Sequence, residues 1–260
     1  MAARLHLHRG GKGDPALVLL HGLGSHAGVW TGMLGSAERW WPGRWMAPDL
    51  RGHGGSPWAD SYALDDYAVD VAETMAQCGA AGGAVILGHS MGGAVGMRLA
   101  SSIHGVAPAS VLGFGVKAAW TPEETEWLAS LARSPVRRFD TREEAAARFL
   151  RAAGLADLVG GDSPIALAGT CPEADGDGWR LAADPATAMV GPPPMDELLG
   201  QAKCPIALAS GSRDEMAPVE HLRRWDPAAT VFNGVGHNPM VEDPDAVWAW
   251  VRQACGLPPI

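Results

Sequence analysis

Five residues, Gly88-His89-Ser90-Met91-Gly92, constrain this chain more than any others. They follow the apolar run Ala84-Val85-Ile86-Leu87 and precede the small-residue stretch Gly93-Ala94-Val95-Gly96, which reads as strand, sharp turn, helix. A serine alcohol is a poor nucleophile, so a reactive one needs a backbone that holds it beside a base and leaves its oxygen open. Glycines two residues to either side permit this, because the turn packs tightly and the helix passes close to the strand. The Met91 amide then stands at a helix N-terminus, where unpaired N–H groups and the helix dipole favour a developing negative charge. The competing interpretation is a glycine-rich turn without chemistry, so the pattern needs support from the rest of the chain.

The residues just past each strand supply that support. Ala16-Leu17-Val18-Leu19-Leu20 is a continuous apolar run of the kind buried on both faces of a parallel sheet. It ends in His21-Gly22-Leu23-Gly24, where glycines let backbone approach a ligand, making the Leu23 N–H a candidate oxyanion donor facing that of Met91. The alternating residues 5–8 suit an edge strand, and 44–47 a further short one. A helix is expected over 27–40 and another over 64–77, the second with Leu64, Tyr67, Ala68, Val71 and Met75 on one face. Between them lies Pro48-Asp49-Leu50-Arg51-Gly52-His53-Gly54. There Asp49 and Arg51 read as hydrogen-bonding anchors for a glycine-rich loop, with His53 incidental. The parallel pattern continues through 109–116, resumes at 205–210 ahead of Gly211-Ser212-Arg213-Asp214, and ends with 230–232 ahead of Gly236-His237. A closing helix is expected over 244–254.

Residues 117–200 have a different character. Thr121-Pro122-Glu123-Glu124 and Thr141-Arg142-Glu143-Glu144 are capping boxes, each opening a helix. The stretch is rich in alanine and charge, lacks strand signals, and leaves through Gly191-Pro192-Pro193-Pro194 before a short helix around Asp196. It reads as a helical insertion folded over the sheet. Asp175-Gly176-Asp177-Gly178 lacks the ligand ladder of a calcium loop and reads as a turn.

Serine, then acid, then histidine, each just past a strand, is the chain order of α/β-hydrolases. Over almost its whole length the sequence resembles that family, through His21-Gly22-Leu23-Gly24, the segment from Pro48 to Gly54, Gly88-His89-Ser90-Met91-Gly92, Gly211-Ser212-Arg213-Asp214 and Gly236-His237. The resemblance implies an α/β fold with a mostly parallel eight-stranded sheet, helices on both faces, and a helical cap between the sixth and seventh strands. The core would be residues 1–116 and 201–260, and the cap 117–200. The implied roles are Ser90 as nucleophile, His237 as general base and acid, and Asp214 as its orienting carboxylate, with Glu215 a minor competitor. His21 and His89 are expected to turn into the surrounding structure. Dehalogenases and epoxide hydrolases of similar architecture carry aspartate where this chain has Ser90. Lipases with membrane-facing lids show an apolar flap, whereas this insertion is rich in Glu and Arg.

The expected activity is hydrolysis of a carboxylic ester of a small or medium substrate through an acyl-enzyme. The same machinery leaves open lactone, thioester, amide or carbon–carbon bond hydrolysis, cofactor-free perhydrolysis and hydroxynitrile cleavage. From a different class, the chain could be a ligand-binding receptor with little turnover. Trp120, Trp127 and Trp179 are candidates for the substrate pocket, with packing favoured for at least two of them. A net charge of −9 offers no footprint for nucleic acid or an anionic membrane, and no apolar stretch is long enough to span a bilayer, so the expected partner is a small molecule. Cys78, Cys171, Cys204 and Cys255 show no metal-ligand or disulfide spacing; no metal or cofactor is implied, and a reducing cytoplasm suits them. The oligomeric state is not encoded in any of these features.

Overall fold

The continuous apolar runs form the middle of one sheet in the computed structural model, which describes residues 3–174 and 176–259. Among these residues the strands are β1 (Leu7–Gly10), β2 (Leu17–Leu20), β3 (Trp45–Pro48), β4 (Val85–His89), β5 (Ser110–Phe114), β6 (Thr170–Pro172), β7 (Trp179–Leu181), β8 (Ile206–Gly211) and β9 (Thr230–Phe232). Seven make the main sheet in the order β1-β3-β2-β4-β5-β8-β9, parallel except for β1, which runs antiparallel to β3. Because successive side chains point to opposite faces, each central strand feeds two cores. Val18, Leu20, Ile86 and Val111 face one apolar cluster, while Leu17, Leu19, Leu87 and Leu112 face the other.

The sheet has seven strands rather than the eight expected. The edge strand expected over 5–8 is Leu7–Gly10, and before it the Ala3 amide bonds Asp70 Oδ1 at 2.6 Å and the His6 amide bonds Ser56 Oγ at 2.8 Å. With seven strands, the insertion falls between the fifth and sixth strands of the sheet, β5 and β8, and not between a sixth and a seventh. The single helix expected over 27–40 is also broken. It consists of a 3-10 turn Ala27–Trp30 and two short helices, α1 (Thr31–Leu34) and α2 (Ala37–Trp40), separated at Gly35-Ser36.

On the first face lie α3 (Leu64–Gln77) and α4 (Met91–Leu99), packed through Tyr67, Val71, Val95 and Leu99. The inserted segment carries α5 (Pro122–Ala132), α6 (Arg142–Ala152), α7 (Pro164–Ala168) and α8 (Met195–Gly200). Thr121 and Glu124 cap each other's backbone at the start of α5, while at α6 the Thr141 hydroxyl accepts the Glu144 amide. Contrary to the strand-free expectation, β6 and β7 pair antiparallel within this segment; runs of three residues are too short to show alternation. Asp175 lies outside the described residues, and the chain beside it turns through bonds between Glu173 and Gly176 and between Glu173 and Gly178. Ala146, Phe149 and Leu150 of α6 join the same apolar cluster as Leu19 and Phe114 of the sheet. The chain then closes with α9 (Val219–Leu222), α10 (Pro239–Glu242) and α11 (Pro244–Ala254), whose Trp248 and Val251 are fully buried.

Candidate active site

Ser90 is the single residue between β4 and α4 and holds φ 52°, ψ −118°, a conformation that costs a non-glycine residue about 1–3 kcal/mol. Its surroundings enforce it. The Ser90 amide bonds Phe114 O at 2.8 Å, and Ser90 O accepts the Gly93 amide at 3.0 Å. A Cβ on Gly92 would overlap the Leu20 carbonyl and one on Gly88 the Gly92 carbonyl, so strand and helix approach this closely only with glycine at both positions.

Asp214 lies three residues beyond β8 and is buried. Its Oδ1 accepts the Met216 and Ala217 amides at 3.0 and 2.9 Å, and its Oδ2 is 2.8 Å from His237 Nδ1. Burial alone would raise this carboxyl. The His237 hydrogen bond and charge and the Ala217 amide outweigh it and hold Asp214 below the ordinary carboxylate range. An ionised Asp214 only accepts, so His237 Nδ1 carries the proton and Nε2 is the nitrogen left for chemistry. Glu215 is exposed, whereas Asp214 holds His237.

His89 turns into the structure as expected and does more there. Its Nε2 lies 2.8 Å from the His237 carbonyl, and the two rings are 4.7 Å apart. Burial first, and the neighbouring His237 second, lower its pKa to about 3, so His89 is neutral and donates to that carbonyl through Nε2–H. It therefore fixes the backbone that carries His237.

The loop after β2 is clamped to the loop after β3. His21 Nε2 accepts the Leu50 amide at 2.9 Å, and His53 Nε2 accepts the Gly24 amide at 3.0 Å. Asp49 accepts the Ala27 amide at 2.7 Å and the Gly55 amide at 2.9 Å. Arg51 meets both carboxylate oxygens of Asp70, at 2.6 and 2.8 Å. His53 is thus a buried anchor, a correction to its reading as incidental. Burial leads in lowering the pKa of His21 to about 3 and of His53 to about 4, which keeps both able to accept an amide proton. Leu23 and Met91 line one cavity with Ser90 and His237. Among the described residues neither of their amides has a hydrogen-bond partner.

This cavity has a volume of about 280 Å³. Leu23, Ala94 and Val116 line it from the sheet side, and Trp120, Trp127, Leu128 and Leu131 from the inserted segment. Trp127 is 63% exposed at its rim. Trp179 does not line it. That residue pairs with Pro172 in the β6–β7 ribbon, and the Arg142 guanidinium lies 4.9 Å from its ring centre. So two of the three tryptophans reach the pocket, against the preference for packing. Lys117 also lines it, with Nζ 2.8 Å from Glu124 Oε1. Asn238, unremarked in the sequence, is buried and donates through Nδ2 to the carbonyls of Ala153 and Gly154 at 3.2 and 3.1 Å, tying the His237 loop to the inserted segment. Outside the cavity, His6, His8 and Asp49 each bring one donor atom within 4.8 Å of the others, a cluster that spacing along the chain concealed.

Among the described residues no helix is long and apolar enough to cross a membrane. The Alpha/beta hydrolase family profile matches residues 17–250. The chain is similar to lipase LipV of Mycobacterium tuberculosis, 39% identical over 103 residues, covering 39% of this chain and 38% of that one. It is also similar to a pimeloyl-[acyl-carrier protein] methyl ester esterase of Nitrosomonas europaea, 36% identical over 98 residues, covering 38% and 36%. The matched segment thus spans less than two fifths of either curated relative. A solved thermophilic esterase from Thermogutta terrifontis superposes over 98% of this chain and 93% of its own, with a TM-score of 0.71 and 22% identity, a likeness of fold. With the family profile matching nearly the whole of the sheet and its connections, the chain belongs to the alpha/beta hydrolase family.

Proposed function

We propose that the chain is a serine hydrolase of uncharged, small to medium carboxylic esters, with Ser90, His237 and Asp214 as its triad. The observation that carries the reading is the buried Asp214 carboxylate, satisfied on one oxygen by two amides and on the other by His237, which lines one cavity with Ser90. In the first step Ser90 Oγ attacks the ester carbonyl and His237 Nε2 takes its proton, while Asp214 stabilises the imidazolium. The oxyanion is held by the Leu23 and Met91 amides. Collapse expels the alcohol, which leaves with the proton from His237. Water then repeats the sequence on the acyl-enzyme, releasing the acid and restoring Ser90.

The substrate class follows from the cavity. It lies near the small end of ligand pockets, which run about 300–1,000 Å³, and the ion pair with Glu124 neutralises Lys117 on its wall. The inserted segment, residues 117–200, is read as a cap that shapes the acyl pocket. The ester-cleaving names of two relatives favour esters within the family. Four free cysteines suit a reducing compartment, and the cytoplasm is the proposed location. A panel of acyl esters of increasing chain length, with lactone and thioester arms, assayed on wild type and Ser90→Ala, tests the reading. Serine-dependent turnover highest on neutral esters is expected. Preferential turnover of lactones or thioesters would replace the substrate class, and turnover surviving Ser90→Ala would reject the mechanism.

A further inference from the structure

The antiparallel edge of the sheet brings two histidines that are close along the chain together with a distant aspartate, all three of types that ligate metals. His6 precedes β1 and His8 lies within it; two residues apart on extended chain, they project to one face. Asp49 follows β3. The β1–β3 pairing continues past Leu7 and Pro48 through the Asp49 amide, which bonds His6 O at 2.9 Å, so Asp49 stands opposite His6. His6 Nδ1 and Asp49 Oδ2 are 2.8 Å apart, and the His6 and His8 rings meet edge to face with centres 4.9 Å apart. The carboxylate is buried at the floor and both imidazoles are exposed at the rim, which leaves an approach from solvent. The floor is fixed in advance. Asp49 Oδ1 accepts the Ala27 amide, Oδ2 accepts the Gly55 amide, and the His6 backbone is tied to Ser56.

We propose that His6, His8 and Asp49 bind a divalent transition-metal ion of the zinc, nickel or copper type, with the remaining coordination positions taken by water. Two imidazoles and one carboxylate suit these ions, whereas calcium and magnesium favour oxygen donors throughout. Zinc bonds of about 2.0–2.2 Å in tetrahedral array place ligand atoms roughly 3.3 Å apart. His6 and Asp49 reach that by opening slightly from hydrogen-bond contact, and His8 by turning an exposed ring inward. Occupancy has a consequence, one that rests on the esterase reading where the site itself does not. Asp49 holds the Ala27 amide at the end of the loop that carries Leu23, so an ion drawing on this carboxylate disturbs the oxyanion loop and lowers turnover.

Metal-stripped wild type titrated with Co²⁺ by visible absorption, and with Zn²⁺ by calorimetry, tests the site. One equivalent of each ion is expected to bind. His8→Gln, at an exposed strand position, is expected to stay folded by circular dichroism and to lose at least the about 10–100-fold in affinity that losing a mere hydrogen-bond partner of a ligand costs. His237→Ala is expected to bind as wild type does. Absence of saturable uptake, uptake unchanged in a His6→Gln/His8→Gln variant, or uptake lost in His237→Ala would overturn the site. Zn²⁺ is expected to slow ester turnover in wild type and not in His8→Gln; equal turnover with and without bound Zn²⁺ would overturn the coupling through Asp49.

Discussion

Asp214 and Glu215 are chain neighbours with opposite circumstances. Asp214 is buried on two amides and His237, while Glu215 stands in solvent. Asp214→Asn is therefore expected to lower kcat by up to about 10⁴-fold, because the imidazole loses both its tautomer and its orientation. Glu215→Gln is expected to change it little. Steady-state kinetics of the two variants decides, and the reverse ranking would move the acid to Glu215. Ser90, Asp214 and His237, the proposed triad, stand out in the sequence because each lies just past a strand, and a strand end is a local signal. His53, His89 and Asn238 do not. Their partners are backbone groups 29, 148 and 84 or 85 residues away, and polar side chains of this kind acquire a role only when the fold brings such groups to them.

The inserted helices differ in what they touch. Trp120 and the α5 residue Trp127 line the cavity, whereas Trp179 packs in the β6–β7 ribbon against Arg142. Trp120→Ala and Trp127→Ala are each expected to shift relative kcat/KM across an ester chain-length series by about 10–200-fold, the range for modest differences in pocket packing. Trp179→Ala should leave the profile unchanged. A flat profile in the first two variants would remove the cap as the specificity element, and a shift with Trp179→Ala would place that residue in the pocket's reach. Capping residues announced α5 and α6 because a helix start is written in four consecutive residues. The ribbon went unseen because three-residue strands carry no period. The eighth strand rests on family likeness alone: the apolar and alternating runs of the sequence account for the seven strands of the main sheet and no more.

Three fully buried neutral histidines, His21, His53 and His89, couple the fold as a whole to pH. Their pKa values are lowered from 6.5 to about 3, 4 and 3, chiefly by burial. Between those values and 6.5 the unfolded chain binds protons that the folded chain refuses. The stability they contribute is thus fully present above 6.5 and is lost as pH falls through this window. Each costs about 2 kcal/mol at pH ~5, and the three together roughly 6 kcal/mol, comparable with the roughly 5–15 kcal/mol of a typical domain. Urea unfolding is expected to show stability falling by about 4 kcal/mol per pH unit below ~6, as three proton uptakes require. Stability flat from pH 7 to pH 5 would mean that these rings protonate in place.

Everything in the proposed chemistry passes through one oxygen, Ser90 Oγ, so the most direct measurement is the mass and site of a covalent adduct. Wild-type protein treated with a fluorophosphonate is expected to gain one phosphonyl group on the peptide containing Ser90, with ester turnover lost in proportion to labelling. Ser90→Ala is expected to take up none while remaining folded. An adduct on another residue, or turnover that survives full labelling of Ser90, would contradict the account.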